Sequence, residues 1–170
     1  MGHRAHHRQA PSRVAVAVLT ISDTRTEKTD RSGRLIRGRL ARAGHEVTDY
    51  RIVPDEPARI RRVARAWARS RRVDAMILTG GTGISPRDGT FEAVEKLLTK
   101  RLDGFGEIFR FLSYRQVGPA AFLSRAVAGI CGRKVLFSLP GSEKAVALAM
   151  DRLILPELGH LIQQIRKKEP

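Results

Sequence analysis

Short apolar runs alternate along this chain with longer stretches in which apolar residues recur every three or four positions. That is the rhythm of buried strands joined by amphipathic helices. Val14-Ala15-Val16-Ala17-Val18-Leu19-Thr20-Ile21 is an apolar run of strand length, and Glu46 to Val53 is a second, with partial alternation. Residues 74–79 and Val135-Leu136-Phe137-Ser138-Leu139 predict two more strands. A helix is expected over residues 31–43, closed by Gly44, and another over 57–70, where Ile60, Val63, Ala64 and Trp67 fall at i, i+3, i+4 and i+7. A further helix is expected to begin near Thr90, whose hydroxyl can cap it. A last one follows Pro140-Gly141, capped by Ser142, and runs to about Ile165 with a kink or interruption at Pro156. Strands alternating with helices argue for an α/β fold with a mostly parallel sheet covered on both faces. Residues 103–131 fit the rhythm less well, because Gly104, Gly106, Gly118 and Pro119 break an otherwise apolar segment. A short helix and an excursion are expected there, covering a sheet edge or packing on a neighbouring subunit.

The chain has 170 residues, enough for one domain with a full core. That domain is expected over residues 14–165, after a disordered basic leader (1–13) and before a basic tail (166–170). The single cysteine, Cys131, lies among Val127, Ala128, Gly129 and Ile130 and reads as a buried, inert thiol. His3, His6 and His7 sit in the polar leader, and no Cys/His spacing suits a metal. No apolar run reaches the length of a membrane span, so a soluble, cytoplasmic protein is expected.

Charge adds one further feature. The net charge is +15, and Arg59, Arg61, Arg62, Arg65, Arg69, Arg71 and Arg72 follow one another with no acid between them. They form either the solvated face of a core helix or a surface that attracts anions. No aromatic residue is interleaved with them, which argues against a base-stacking surface.

In an open parallel sheet, ligands bind beyond the carboxyl ends of the strands. Small hydroxyl residues, glycines and acids follow every proposed strand. Ser22 and Asp23 come after the first, then Asp30, Arg31, Ser32 and Gly33 at a helix start. Asp55 comes after the second strand, and Pro140, Gly141 and Ser142 after the last. The third leads into Thr79-Gly80-Gly81-Thr82-Gly83, with Asp88 close behind. Glycines at this density suit a backbone that turns sharply or touches a ligand. The loop is neither a P-loop, since no Gly-Lys-Ser/Thr follows, nor a Rossmann fingerprint. Asp55 and Asp88 have two readings, as caps of the helices that follow them or as ligands of Mg²⁺ on a polyphosphate.

The ordered motifs resemble the MoaB/MogA family of molybdenum-cofactor biosynthesis proteins, whose domain also occurs in gephyrin-type proteins. The resemblance spans about residues 13–163. It is carried by Leu19-Thr20-Ile21-Ser22-Asp23, Asp30-Arg31-Ser32-Gly33, the glycine loop, and Gly104-Phe105-Gly106-Glu107 with Phe109-Arg110 and Leu112-Ser113. Ser124-Arg125-Ala126-Val127-Ala128-Gly129 and Leu139-Pro140-Gly141-Ser142 complete it. It implies a three-layer α/β/α domain assembling as a homotrimer or hexamer. It also implies adenylylation of molybdopterin by ATP with Mg²⁺, and handover of the product to a molybdenum-insertion protein. The family's two essential aspartates match Asp55 and Asp88, as catalytic residues and metal ligands. Substrate contacts are implied for Ser22, Asp23, Asp30, Ser32, Gly33, Thr79, Gly80, Gly81, Thr82, Gly83, Ser113, Pro140, Gly141 and Ser142. Three other functions compete: a pterin carrier without catalysis, a metal-dependent nucleotide hydrolase, and a basic nucleic-acid binder. The last is disfavoured because it leaves the glycine loop and paired acids without a purpose.

Overall fold

A computed structural model describes residues 10–167. Six strands form one sheet in the order β2-β1-β3-β6-β5-β4. Strands β1 (Ala15–Ile21), β2 (Glu46–Val53), β3 (Ala75–Thr79) and β6 (Lys134–Leu139) run parallel. The expected mostly parallel sheet is therefore present.

Strand β1 is buried on both faces, and its side chains sort by parity. Val14, Val16 and Val18 enter a core with Ile36 and Leu40 of α1 (Arg31–Arg42) and with the C-terminal helices. Ala17, Leu19 and Ile21 enter a second core with Ile60, Val63, Ala64 and Trp67 of α2 (Pro57–Arg69). The second core also holds Ala93 and Val94 of α3 (Thr90–Glu95). Two cores on opposite faces make three layers. Consecutive helices α1 and α2 leave the sheet on opposite sides, which places a topological switch point between β1 and β3.

Residues 103–131 are more regular than their glycines suggest. They hold α4 (Asp103–Val117), a 3₁₀ turn (Gly118–Leu123) and β5 (Val127–Cys131). Strand β5 pairs antiparallel with β6 and with the two-residue edge strand β4 (Lys100–Arg101), so this segment adds a strand inside the sheet where an excursion over its edge was expected. Cys131 is buried in β5, and burial pushes its thiol pKa up, in keeping with an inert role. The last helix is interrupted before Pro156 rather than kinked at it. After α5 (Glu143–Ala149) the chain widens into a π-helical turn (Met150–Ile154) and resumes as α6 (Leu155–Arg166), with proline in its first turn. A proline there has no N–H to give the preceding turn, and a local π turn accommodates that loss.

Part of the expected leader is placed on the domain. A Cβ at Gly159 would lie 2.6 Å from the Pro11 carbonyl, and Arg13 pairs with Glu46 at 2.9 Å. Arg166 of the expected tail closes α6 and donates to Asp74 at 2.6 Å. His3, His6, His7 and residues 168–170 lie outside the described residues. No described helix is long and apolar enough to cross a membrane.

One buried polar cluster fixes the start of α1. The Asp30 carboxylate, 2% exposed, accepts from the Gly33 N–H at 2.9 Å, the Thr20 hydroxyl at 2.6 Å and the Tyr50 hydroxyl at 2.5 Å. It thereby joins a helix cap to β1 and β2. Burial and the neighbouring Asp30 carboxylate raise the Tyr50 pKa well above its ordinary value, so the phenol stays a donor. Asp30→Ala removes the cap and strands two hydroxyls, a loss of about 3 kcal/mol. Tyr50→Phe loses about 1 kcal/mol. Urea unfolding at constant slope checks both, and equal midpoints for the two variants would contradict the shared-acceptor role of Asp30.

Candidate functional site

The sheet register brings the candidate residues together. Thr20 of β1 lies opposite Thr79 of β3, Thr79 opposite Leu139 of β6, and Ile21 opposite Val53 of β2. Four strands thus end level, and the segments that follow them meet on one rim. A cavity of about 350 Å³ opens there, lined by Thr20, Ser22, Asp30, Ser32, Thr79, Gly80, Gly141 and Ser142 among others. It lies at the switch point between β1 and β3, over the start of α1.

The glycine loop is tight for identifiable reasons. Gly80 has φ +109° and Gly81 φ +61°, which favour glycine. A Cβ on Gly80 would lie 2.2 Å from the Ile21 carbonyl oxygen. On Gly81 it would lie 2.1 Å from Asp55 Oδ2 and 2.2 Å from the Thr90 hydroxyl. Asp88 faces the far side of the loop, 2.5 Å from where a Cβ on Gly83 would sit. The two aspartates therefore flank the loop, as the sequence pairing suggested. Thr82 is buried within it.

Neither aspartate caps the helix expected of it. Helix α2 starts after Glu56 with no side-chain cap, and Asp55 instead reaches across to α3. Its Oδ1 accepts from the Gly89 N–H at 3.4 Å and the Thr90 hydroxyl at 3.2 Å. Thr90 is thus a donor to Asp55, not the cap of its own helix, whose N-cap position is Gly89. Asp88 turns back to accept from the Ser85 N–H at 3.0 Å. Burial raises the Asp55 pKa, and the Asp88 and Asp23 charges raise it further against the opposing Thr90 and Gly89 bonds. Asp23 is lowered by its bond to Arg87, at 2.9 Å from Nε.

This crowding of negative charge is what a hard divalent cation would relieve. Among the described residues no three acidic, His or Cys side chains form a ready metal cluster. Two carboxylates nonetheless suit Mg²⁺, which fills its other positions with water and phosphate oxygens. Asp55 and Asp88 fit such an ion.

Several other candidates hold the rim rather than face outward. The Ser32 hydroxyl donates to the Gly141 carbonyl at 2.8 Å, and Thr79 donates to Pro140 at 2.9 Å. Ser142 caps α5 by accepting from the Ala145 N–H at 3.3 Å. The Ser22 hydroxyl accepts from the Thr24 and Arg25 N–H groups at 3.3 and 3.2 Å. Asp30 and Gly33 form the α1 cap described above. Ser113 is buried on α4 and does not line the rim cavity.

The sequence reading missed Arg125 as a working residue. Its guanidinium donates to the carbonyls of Thr82 at 3.4 Å and Asp88 at 3.2 Å, bonds the Gly83 carbonyl, and pairs with Glu92. It lies over the Phe91 ring at 5.0 Å. One side chain thus clamps the loop from beneath, across some forty residues of sequence, a separation that no local motif reports. Arg25 and Arg31 line the rim cavity and were also passed over, although both sit in the segments that follow β1.

A family model described as a probable molybdopterin-binding domain matches residues 17–160. "Molybdenum cofactor biosynthesis protein B" of Bacillus cereus is 51% identical over 164 residues, covering 96% of this chain and 97% of that protein. A crystal structure of a molybdenum cofactor biosynthesis protein B covers 94% of this chain and all of that one, at 51% identity and TM-score 0.91. The tungsten cofactor synthesizing protein MoaB from Pyrococcus furiosus covers 93% of this chain and all of its own, at 39% identity and TM-score 0.82. A sheet with its switch point at a glycine loop, two acids flanking that loop and likeness over nearly the whole length agree: this chain belongs to the MoaB/MogA family of molybdopterin-binding domains and serves molybdenum cofactor biosynthesis.

Proposed function

We propose that the chain adenylylates molybdopterin. A terminal phosphate oxygen of molybdopterin forms a bond to the α-phosphorus of ATP. The bond from that phosphorus to the oxygen bridging to the β-phosphate breaks, and its electron pair leaves with pyrophosphate. The nucleophile is already an anion near neutral pH, so no general base is required. The protein's task is position and charge. The observation that carries the proposal is the placing of Asp55 and Asp88 on either side of the glycine loop at the switch-point rim.

Each part of the site has a role in that reaction. Asp55 and Asp88 would hold Mg²⁺, which would supply charge neutralisation on the triphosphate. The Gly81–Gly83 backbone, steadied by Arg125, offers N–H groups to phosphate, while the Gly80 N–H stays with the Leu139 carbonyl at 3.0 Å. Arg25 and Arg31 bring positive charge to the cavity beside it. Ser32 and Thr79 act indirectly, by holding the Pro140-Gly141 turn against the cavity. Ser22, Gly141 and Ser142 line the cavity where the pterin end would sit, the two serines keeping a hydroxyl proton to donate, while Asp23 is held by Arg87 outside that lining. The reaction belongs in the cytoplasm, with the product passed to a molybdenum-insertion protein.

Pyrophosphate release from Mg²⁺-ATP under anaerobic conditions tests the assignment. Release is expected only with molybdopterin present, and Asp55→Asn and Asp88→Asn should each lower it by about 100-fold or more, a transition-state loss of roughly 3 kcal/mol. Asparagine keeps the acceptor oxygen that serves Gly89 and Thr90, so the fold should survive. Full turnover in both variants would remove the metal-ligand role. Bound molybdopterin without release would make the chain a carrier.

We further propose that it works as a homotrimer or a pair of trimers. Ile108, Phe111, Tyr114 and Val117 of α4 and Phe122 and Leu123 of the 3₁₀ turn are exposed, with Phe122 at 73%. A contiguous apolar surface of this kind on one helix suits a subunit contact. Light scattering should give a mass of three or six chains of 18.9 kDa, and Phe111→Asp/Phe122→Asp should give one. A monomeric wild-type protein would contradict the assembly.

A further inference from the structure

The fold separates charge between two poles of the sheet. Asp23, Asp55 and Asp88 follow strand carboxyl ends or sit beside the loop there. The opposite pole gathers cations for topological reasons. Helix α2 runs back from the rim, so Arg69 at its end and Arg71 and Arg72 beyond it arrive where β3 begins. Strand β5 is antiparallel to β6 with Cys131 opposite Lys134, so their turn, with Arg133, lies at the same pole. A Cβ on Gly132 of that turn would lie 4.0 Å from the Ala68 carbonyl, which brings the turn against the end of α2. A cavity of about 550 Å³ opens between them, lined by Arg69, Arg71, Arg133 and Lys134 among others.

Arg62 and Arg65 extend this surface along α2. With Arg69 they stand at i, i+3 and i+7 on its exposed side, a span of about 10 Å. Among the described residues none of Arg62, Arg65, Arg69, Arg71, Arg72, Arg133 or Lys134 forms an ion pair. The acid beside them, Asp74, is taken by Arg166. So many like charges held together repel one another, and a polyanion would relieve that repulsion.

The chemistry of the surface points to a particular polyanion. Its cations are almost all arginines, whose planar forks match phosphate oxygens. Exposed large apolar side chains lie elsewhere, on α4, on the 3₁₀ turn and at Ile84, and the apolar residues of the cavity, Ala68, Ile162 and Ile165, are buried or half-buried, so no apolar side chain stands out to anchor a protein partner. It also lacks aromatic side chains to stack on unpaired bases. We propose that this cationic pole binds the phosphate backbone of duplex nucleic acid without reading sequence, on a face separate from the glycine-loop rim. The separation removes the objection that a nucleic-acid binder leaves the loop and acids idle, and the inference does not depend on the adenylylation reading.

Fluorescence anisotropy with a labelled duplex DNA of about 20 base pairs, titrated with the full chain, tests the proposal. Contact with four or five phosphates gives a log–log salt slope near −4, a loss of roughly 200-fold between about 50 and 200 mM salt. Arg69→Glu/Arg71→Glu/Arg133→Glu should weaken binding at least about tenfold and flatten that slope. Lys28→Glu/Arg34→Glu/Arg59→Glu, before and at the starts of α1 and α2, carries the same net charge at the other pole and should stay within about threefold of wild type. Equal losses in the two triple variants would overturn the assignment in favour of diffuse net charge. Displacement of the duplex by polyglutamate at equal charge would overturn it in favour of an acidic protein partner. Absence of binding at about 100 mM salt would overturn it outright.

Discussion

The site depends on a close approach of backbone to backbone at the centre of the sheet. Gly80 packs against the Ile21 carbonyl, and Gly81 packs against the Asp55 carboxylate and the Thr90 hydroxyl, with no room for a side chain at either position. That contact lets the end of β3 fold over the end of β1 and meet the segment that follows β2. Asp55, held by Gly89 and Thr90, then ties β2 to α3. Arg125, arriving just before β5, holds the other side of the loop through its carbonyls. Segments from Ile21 to Arg125, about a hundred residues apart in sequence, converge on one short loop, and the two acids stand beside it because of how it is held.

The same topology explains the distribution of charge. Parallel strands put every loop that follows a strand at one pole, where acids, glycines and hydroxyls collect. Helices α1 and α2, which lead back to parallel strands, and α6 end at the other pole, and basic residues are favourable in the last turn of a helix. Arg39 and Arg42 close α1, Arg69 closes α2 and Arg166 closes α6. A net charge of +15 draws anions toward the molecule as a whole, while Asp23, Asp55 and Asp88 keep the rim locally acidic. In the proposed reaction the global charge would gather phosphate and the local acids would require a metal to seat it.

Strands β1, β3 and β6 were legible because each is a nearly continuous apolar run, β2 because its apolar residues partly alternate, and α2 because its apolar stripe is regular. Strand β5 was hidden at the end of a segment in which Gly104, Gly106, Gly118 and Pro119 read as breaks, and it carries a glycine of its own, Gly129. In the structure a Cβ there would lie 2.4 Å from the Lys100 carbonyl, so the glycine marks the close pairing with β4. Gly106 misled in the same way. It lies within α4 where the helix comes close to the Ala126 carbonyl, 2.8 Å from a Cβ at that position. Local rules offered a helix cap as one of two readings for Asp55 and Asp88 and as the role of Thr90, and tertiary contacts join Asp55 and Thr90 to each other. Asp30 was legible as the residue before a helix, but its second and third donors come from β1 and β2, which only the fold reveals. Arg125 stood in a family motif with no role attached, since its partners, the loop carbonyls and Glu92, lie more than thirty residues away in sequence.

The account rests on Asp55 and Asp88 sharing an electrostatic site over the glycine loop, and carboxyl-carbon NMR titration of Asp55 tests that most directly. The Asp55 pKa should lie above the ordinary aspartate value of about 3.9, fall when Asp88 is replaced by Asn, and fall further on adding Mg²⁺ with a nonhydrolysable ATP analogue. An Asp55 that titrates at the ordinary value and responds to neither Asp88→Asn nor the metal–nucleotide would contradict it.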